Sequence, residues 1–224
     1  MIIPDGNRRW AEKYGKSVVE GHKRGSEVIN KVLDDLSMLS EIKIITLWGF
    51  SADNWKRATI ETQGIFNLIN SYLKNTLSKL NRLKARFVHL GRKDRLPKQL
   101  FSTIKHAEGE TENNTGQIIA LAIDFGGEDQ EIRIIEKAKK LPEDTIVNRD
   151  LLWTLRDGHG LIPPADLLIR SSGEIRTSDV GWLNGAPTEL YFIDKLFPDV
   201  TTSDIIDAIV DFSKRERRMG SRPK

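Results

Sequence analysis

Short apolar runs rich in β-branched residues recur at 42–50, 86–90, 118–125, 166–169 and 190–193, each separated from the next by a longer stretch with helical spacing. That alternation predicts an α/β layer fold. The run at 118–123 is continuously apolar, the pattern of a strand covered on both faces, so a central, mostly parallel sheet flanked by helices is expected. Three helices show as stripes. Val28, Ile29, Val32, Leu33 and Leu36 share a face over 21–39. Ile65, Leu68, Ile69, Tyr72, Leu73, Leu77 and Leu80 share another on a longer helix beginning near Thr59, with Glu61 in the first turn as the helix dipole favours. A third, opened by Thr202 or Ser203, carries Ile205, Ile206, Ile209, Val210 and Phe212. Ile2-Ile3 before Pro4 reads as the end of a buried strand, and 108–114 as one surface loop. No repeat, low-complexity tract or linker breaks the pattern, so residues 1–224 are expected to form one domain.

Composition narrows the class. The chain is 38% apolar and 30% charged, which describes a globular protein rather than a disordered one. No apolar run approaches the ~20 residues of a bilayer-spanning helix. The absence of cysteine excludes disulfides, thiolate catalysis and Cys-bound zinc, and a cytoplasmic address is expected. A net charge of +3 says little about partners. His22, His89, His106 and His159 lie far apart without metal-ligand spacing. The five Trp residues are scattered and unaccompanied by a basic stripe, so they read as core and walls, and no nucleic-acid partner is expected.

Position is more informative than total charge. Pro4-Asp5-Gly6-Asn7-Arg8-Arg9-Trp10 follows the first strand; Gly6 and Asn7 permit a tight turn whose N–H groups face an anion, and the Arg pair offers forked donors to phosphate. Asp5 is placed to hold a divalent cation against that phosphate. Phe50-Ser51-Ala52-Asp53-Asn54-Trp55-Lys56-Arg57 follows another strand, and Leu168 to Ser178, with Arg170 and Arg176 among four hydroxyls, follows a third. Open α/β sheets bind ligands at this edge. Each loop alone also reads as a polar turn; three together point to a diphosphate-sized anion. His22, in Gly21-His22-Lys23 at an expected helix start, is a candidate phosphate donor.

Read together, these motifs resemble the cis-prenyltransferase family over nearly the whole chain. The resemblance is carried by Asp5 to Ala11, Gly21-His22-Lys23, Phe50-Ser51 with Asn54-Trp55 and Arg57, Asn114-Thr115-Gly116, Phe125-Gly126-Gly127, Ile169-Arg170 with Gly173-Glu174 and Arg176, Glu189-Leu190-Tyr191-Phe192, and Arg215-Glu216-Arg217-Arg218 in order. It implies condensation of isopentenyl diphosphate with an allylic prenyl diphosphate of farnesyl or geranylgeranyl type. The allylic diphosphate would bind Gly6, Asn7, Arg8, Arg9, Trp10 and His22, and isopentenyl diphosphate would bind Arg170, Arg176 and Ser178. Mg²⁺ would be held by Asp5 and Glu189. Ser51, Trp55 and Arg57 would bind substrate as well, and Asn54, with Trp55 and Arg57 beside it, would belong to a segment closing over the substrates, with Asn54 at the proton-removal step.

The resemblance further implies a homodimer whose Arg218-Met219-Gly220 segment reaches the partner's site, a hydrophobic tunnel, and a peripheral membrane contact for product release. Ile65, Phe66, Leu68, Ile69 and Leu73 beside strand 42–50 are the expected tunnel lining. Two alternatives stay open. Val18, Ile175 and Ala58 stand where many long-chain members have Arg, His and Pro, and Pro4 precedes the Asp-Gly loop as in relatives that make irregular, lavandulyl-type couplings. A noncatalytic phosphate- or RNA-binding module is the alternative from another class. An all-helical trans-prenyltransferase is excluded, because Asp34-Asp35 lacks the third Asp of its acidic motif.

Overall fold

The computed structural model describes residues 1–217. Strands β1 (Ile2–Ile3), β2 (Ile44–Ser51), β3 (Arg86–Leu90), β4 (Ile118–Phe125), β5 (Leu167–Arg170) and β6 (Glu189–Phe192) form one sheet in the order β3-β4-β2-β1-β5-β6. Every pairing in it is parallel. The expected α/β architecture is the one observed.

The continuous apolar run of β4 has its explanation in the two cores. Ile119, Leu121 and Ile123 face a core shared with the helices of one layer, while Ala120, Ala122 and Phe125 face a second core with Ile162, Val180 and Leu183. With both faces covered, neither set of alternate positions is free to be polar.

The α-helices are α1 (Asn7–Lys13), α2 (Val18–Leu36), α3 (Thr59–Arg82), α4 (Lys98–Thr111), α5 (Gly127–Ala138), α6 (Arg149–Leu155) and α7 (Thr202–Lys214), and short 3-10 turns form at Ala52–Lys56, Gly181–Leu183 and Phe197–Asp199. α2 starts three residues before the expected position. Ser17 Oγ accepts from the Glu20 N–H at 3.2 Å and Glu20 Oε2 accepts from the Ser17 N–H at 2.8 Å, a capping box that fixes the start. Thr201 and Asp204 cap α7 in the same way. The polar stretch expected to be a loop at 108–114 begins instead as the last turn of α4. Thr111 is fully buried there, donating to Ala107 O at 2.7 Å and accepting from the Phe87 N–H at 3.0 Å. Among the described residues, no helix is long and apolar enough to cross a membrane.

Candidate active site at the carboxyl edge of the sheet

The chain leaves β1 for one half of the sheet and reaches the other half only at β5, so strand order reverses beside β1. Such a reversal opens a crevice at the carboxyl ends of the strands. It also makes neighbours of the loops after β2, β1 and β5, which lie far apart in sequence. These loops line a cavity of ≈ 760 Å³.

After β1, Gly6 takes a φ of 98°, and a Cβ there would stand 2.9 Å from both Leu196 Cδ2 and Ser172 Cβ. Only glycine fits. Its N–H donates to Asp5 Oδ1 at 2.7 Å, and Asn7 Nδ2 donates to Pro4 O at 2.9 Å, so the turn is closed by its own side chains. α1 then presses onto two glycines of α2. An added Cβ would lie 2.3 Å from Asn7 O at Gly21 and 2.1 Å from Asn7 Oδ1 at Gly25. Asn7 Oδ1 is buried and has no hydrogen-bond partner.

At the end of β5, the Arg170 side chain is buried and distributes its donors over the site. It donates to Asp5 Oδ2 at 2.8 Å, to Ser178 Oγ at 2.7 Å and to Arg176 O at 2.8 Å. Arg9 donates to Ser172 Oγ at 2.6 Å and lies 3.1 Å from Glu174 Oε1 and 3.6 Å from Asp5 Oδ1. Glu174 also pairs with Arg176, so one carboxylate ties together two of the cavity's guanidinium groups. The hydroxyls of Ser172 and Ser178 are aimed by strained backbone. Their φ values are 79° and 56°, in the left-handed region that costs a non-glycine residue about 1–2 kcal/mol.

The third loop follows a bulge. Trp48 pairs with Ala122 and Phe50 with Ile123, leaving Gly49 as the extra residue beside the cavity. Ser51, Asn54 and Arg57 line the cavity beyond it. Asn54 Oδ1 accepts from the Ser51 N–H at 3.1 Å, and Arg57 donates to the buried Glu61 at 3.0 Å. His22 Nε2 sits 3.5 Å from Glu61 Oε1 and is without a hydrogen bond. Burial, and then the Arg57 cation, lower the His22 pKa against the opposing pull of Glu61, so its imidazole is neutral at neutral pH.

Asp5, Gly6, Asn7, Arg8, Arg9 and His22 therefore share the cavity with Ser51, Asn54, Arg57, Arg170, Arg176 and Ser178. Three residues expected at the site are elsewhere. Trp10 does not line the cavity: its indole donates to Asp199 at 2.7 Å and its ring packs on Tyr14. Trp55 turns under its loop, against Phe50, Phe66 and Asp124. Glu189, expected to hold Mg²⁺ with Asp5, does not line the cavity. It opens β6 opposite Leu167, whereas Asp5 lies two residues beyond Ile3, which pairs with Arg170. The two residues therefore stand near opposite ends of their strands. Glu189 pairs instead with Arg215 at 2.9 Å. Among the described residues no group of three His, Cys, Asp or Glu side chains is placed to hold a metal.

Glu61 and Glu174, which pair with arginines of the site, and Glu128, Asp129 and Asp179, which line the cavity, were not among the expected site residues. The spacing of Arg57 and Glu61, four apart across a helix start, was the available signal for the first. The opposite wall of the cavity is apolar, with Ile65, Leu68, Ile69 and Tyr72 of α3 facing Leu47 and Leu121. Phe66 and Leu73, also expected in the lining, belong to the core. Tyr72 lines both this cavity and a second one of ≈ 340 Å³ between α2 and α3. The segment Arg218-Met219-Gly220 lies outside the described residues.

Residues 3–220 match the family model described as "Putative undecaprenyl diphosphate synthase". An isoprenyl transferase of Aquifex pyrophilus is 38% identical over 98% of this chain and 94% of its own length, and one of Treponema denticola is 38% identical over 98% and 96%. Among solved structures, lavandulyl diphosphate synthase from Lavandula x intermedia, in complex with dimethylallyl diphosphate, superimposes with a TM-score of 0.90 at 31% identity over 98% of this chain and 96% of that one. A probable undecaprenyl diphosphate synthase from Campylobacter jejuni gives a TM-score of 0.77 at 27% identity over 89% and 93%. Family membership sets aside the noncatalytic reading and implies the Mg²⁺ dependence typical of these enzymes. The chain thus belongs to the cis-prenyltransferase family, as an enzyme of that family's condensation of isopentenyl and allylic diphosphates.

Proposed function

We propose that the enzyme adds isopentenyl diphosphate in cis to an allylic diphosphate of farnesyl or geranylgeranyl type and extends it to a polyprenyl diphosphate. The observation that supports this reading is the meeting of Arg9, Arg170, Arg176 and Asp5 in one cavity whose other wall is apolar. An amphipathic substrate with a dianionic head and a hydrocarbon tail matches such a cavity.

The allylic diphosphate is assigned to the turn at Gly6 to Arg9 with His22. The first intrahelical bond of α1 runs from the Trp10 N–H to Gly6 O, which leaves the N–H groups of Asn7, Arg8 and Arg9 without partners inside the helix. Isopentenyl diphosphate is assigned to Arg170, Arg176 and Ser178. Two arginines in fixed forks hold phosphate oxygens in register and lower the cost of aligning the alkene with the allylic carbon. The loop 51–57 excludes water with Asn54 and Arg57, and Asn54 is assigned to the proton-removal step that follows carbon–carbon bond formation.

The donor set fits Mg²⁺ in one form. Asp5 supplies one carboxylate beside the arginines, with Asp53, Glu128, Asp129 and Asp179 elsewhere on the cavity lining, and Mg²⁺ commonly takes one or two protein carboxylates with phosphate oxygens and water completing the shell. Asp5 would hold the ion, which when bound offsets the charge that develops on the departing diphosphate. We assign a homodimer, and a peripheral membrane contact for product release, as parts of the same reading.

A second reading has a specific observation behind it. The backbone superimposes on a lavandulyl diphosphate synthase with a TM-score of 0.90, and Pro4 precedes the Asp-Gly turn. Turnover of labelled isopentenyl diphosphate with farnesyl diphosphate and Mg²⁺ tests the first reading, and a ladder of longer products supports it. A single branched product from dimethylallyl diphosphate, with no ladder, supports the second. No product from either primer overturns both.

A further inference from the structure

Loop 51–57 carries Asn54 and Arg57 into the cavity, yet it is fastened by a side chain outside it. Trp55 places its indole between Phe50, at a centroid distance of 5.5 Å, and Phe66, at 5.3 Å. Its Nε1 donates to Asp124 Oδ1 at 2.8 Å. Asp124 is fully buried in β4, and it takes a φ of 55° where an extended residue would continue the strand. A carboxylate in that position needs compensation. Arg95 supplies it with a fork, Nε to Oδ2 at 2.7 Å and Nη2 to Oδ1 at 2.6 Å, and its guanidinium lies 5.8 Å from the centre of the Trp55 ring.

Neither Asp124 nor Arg95 lines the cavity. The strained backbone of Asp124 turns its carboxylate toward the one loop whose position governs Asn54 and Arg57, and Arg95 fixes which oxygen faces the indole. We propose that Asp124, oriented by Arg95, is a positioning residue: through Trp55 Nε1 it holds loop 51–57 closed over the cavity, and so sets the affinity for the diphosphate substrates. The inference rests on the condensation proposed above. Weakening this anchor lowers the fraction of enzyme with a closed loop in the absence of substrate, and apparent affinity falls by that fraction. Once substrate has closed the loop, the reacting groups are unchanged.

Asp124→Asn suits the test, because Asn tolerates the left-handed region, removes the charge that strengthens the indole bond and sets an amide N–H against a donor of Arg95 or of the indole itself. Trp55→Phe removes the indole N–H and retains an aromatic ring for Phe50 and Phe66. With isopentenyl diphosphate, farnesyl diphosphate and Mg²⁺, each variant should raise KM by about tenfold or more, with kcat within about threefold of the parent enzyme. The double variant should be no worse than the weaker single variant by more than about twofold, since both act through one bond. Trypsin should cut faster at Lys56 and Arg57 in both variants, and inorganic diphosphate should restore protection.

A folded Asp124→Asn enzyme with unchanged KM overturns the inference, as does a fall in kcat at constant KM or a multiplicative loss in the double variant. If Asp124→Asn fails to fold, Trp55→Phe decides by the same KM criterion. If the parent enzyme forms no condensation product, the proposed function fails, and tryptic cleavage in the variants still tests the anchor: unchanged cleavage overturns it.

Discussion

The guanidinium of Arg170 donates to the carboxylate of Asp5 at 2.8 Å across 165 positions of sequence. β1 and β5 are adjacent parallel strands in a register that pairs Ile3 with Arg170, and the contact joins their carboxyl ends. It couples the residue assigned to the cation with one assigned to the second diphosphate.

Asp5→Asn keeps the side chain's shape and an acceptor for the Gly6 N–H while removing the charge. Turnover of labelled isopentenyl diphosphate should fall by at least about 100-fold, the scale for losing one electrostatic contact to a developing charge. The fold should survive, because Arg170 keeps its bonds to Ser178 and the Arg176 carbonyl. Near-normal turnover in a folded variant would exclude Asp5 as the cation's ligand.

Gly21→Ala should destabilise the protein by about 1–3 kcal/mol, the range for overpacking. In an open helix the same change stabilises, by up to about 1 kcal/mol. Here the new methyl would stand 2.3 Å from the Asn7 carbonyl and push α1 away from α2. Urea denaturation gives the sign, and an unchanged or higher midpoint would show that the two helices can separate at no cost.

Tyr72→Ala should lengthen the product by one or more isoprene units. The side chain lines both cavities between α2 and α3, so its removal joins the apolar space on either side. Product mass after exhaustive extension is the readout. An unchanged product distribution would show that the hydrocarbon chain does not grow toward Tyr72.

Acid should destabilise the fold through His89. Its ring is buried in β3, with Nε2 3.0 Å from the Ile123 carbonyl and Nδ1 unpartnered. Burial first, and then the Lys93 cation, lower its pKa from 6.5 to about 4. Between those values the unfolded chain binds a proton that the folded chain refuses, so stability falls as pH drops from about 6.5 toward 4. A shift of that size corresponds to about 3 kcal/mol. His89→Gln, which retains a donor for the carbonyl, should flatten the stability profile over this window in denaturant titrations. An identical profile in the variant would assign the acid loss to other groups.

Much of the fold was legible because its signals are local. Side-chain period marked β3 and β4 at their observed limits and marked the stripes of α2, α3 and α7. Helix ends were less legible where a side chain bonds the backbone: Ser17 and Glu20 carry a readable capping pattern, whereas the burial of Thr111 depends on the Phe87 N–H of a neighbouring strand. The site was legible as three polar loops at strand ends, since residues that suit an anion, drawn from Gly, Asn, Ser and Arg, cluster within each of them.

What the sequence alone determined, then, is the set of elements, their α/β alternation and the chemistry of the loops, all fixed by contacts a few residues apart. Tertiary structure decided which loops meet. Strand order put β1 between β2 and β5, and parallel register carried Glu189 to the end of the sheet away from Asp5. The same packing hydrogen-bonded the Trp55 indole to the buried Asp124, which neither residue's neighbours in sequence foretell. The physical reason is common to all three: pairings between distant strands are chosen by burying both faces of the sheet at once, and that choice is a property of the whole core rather than of any segment.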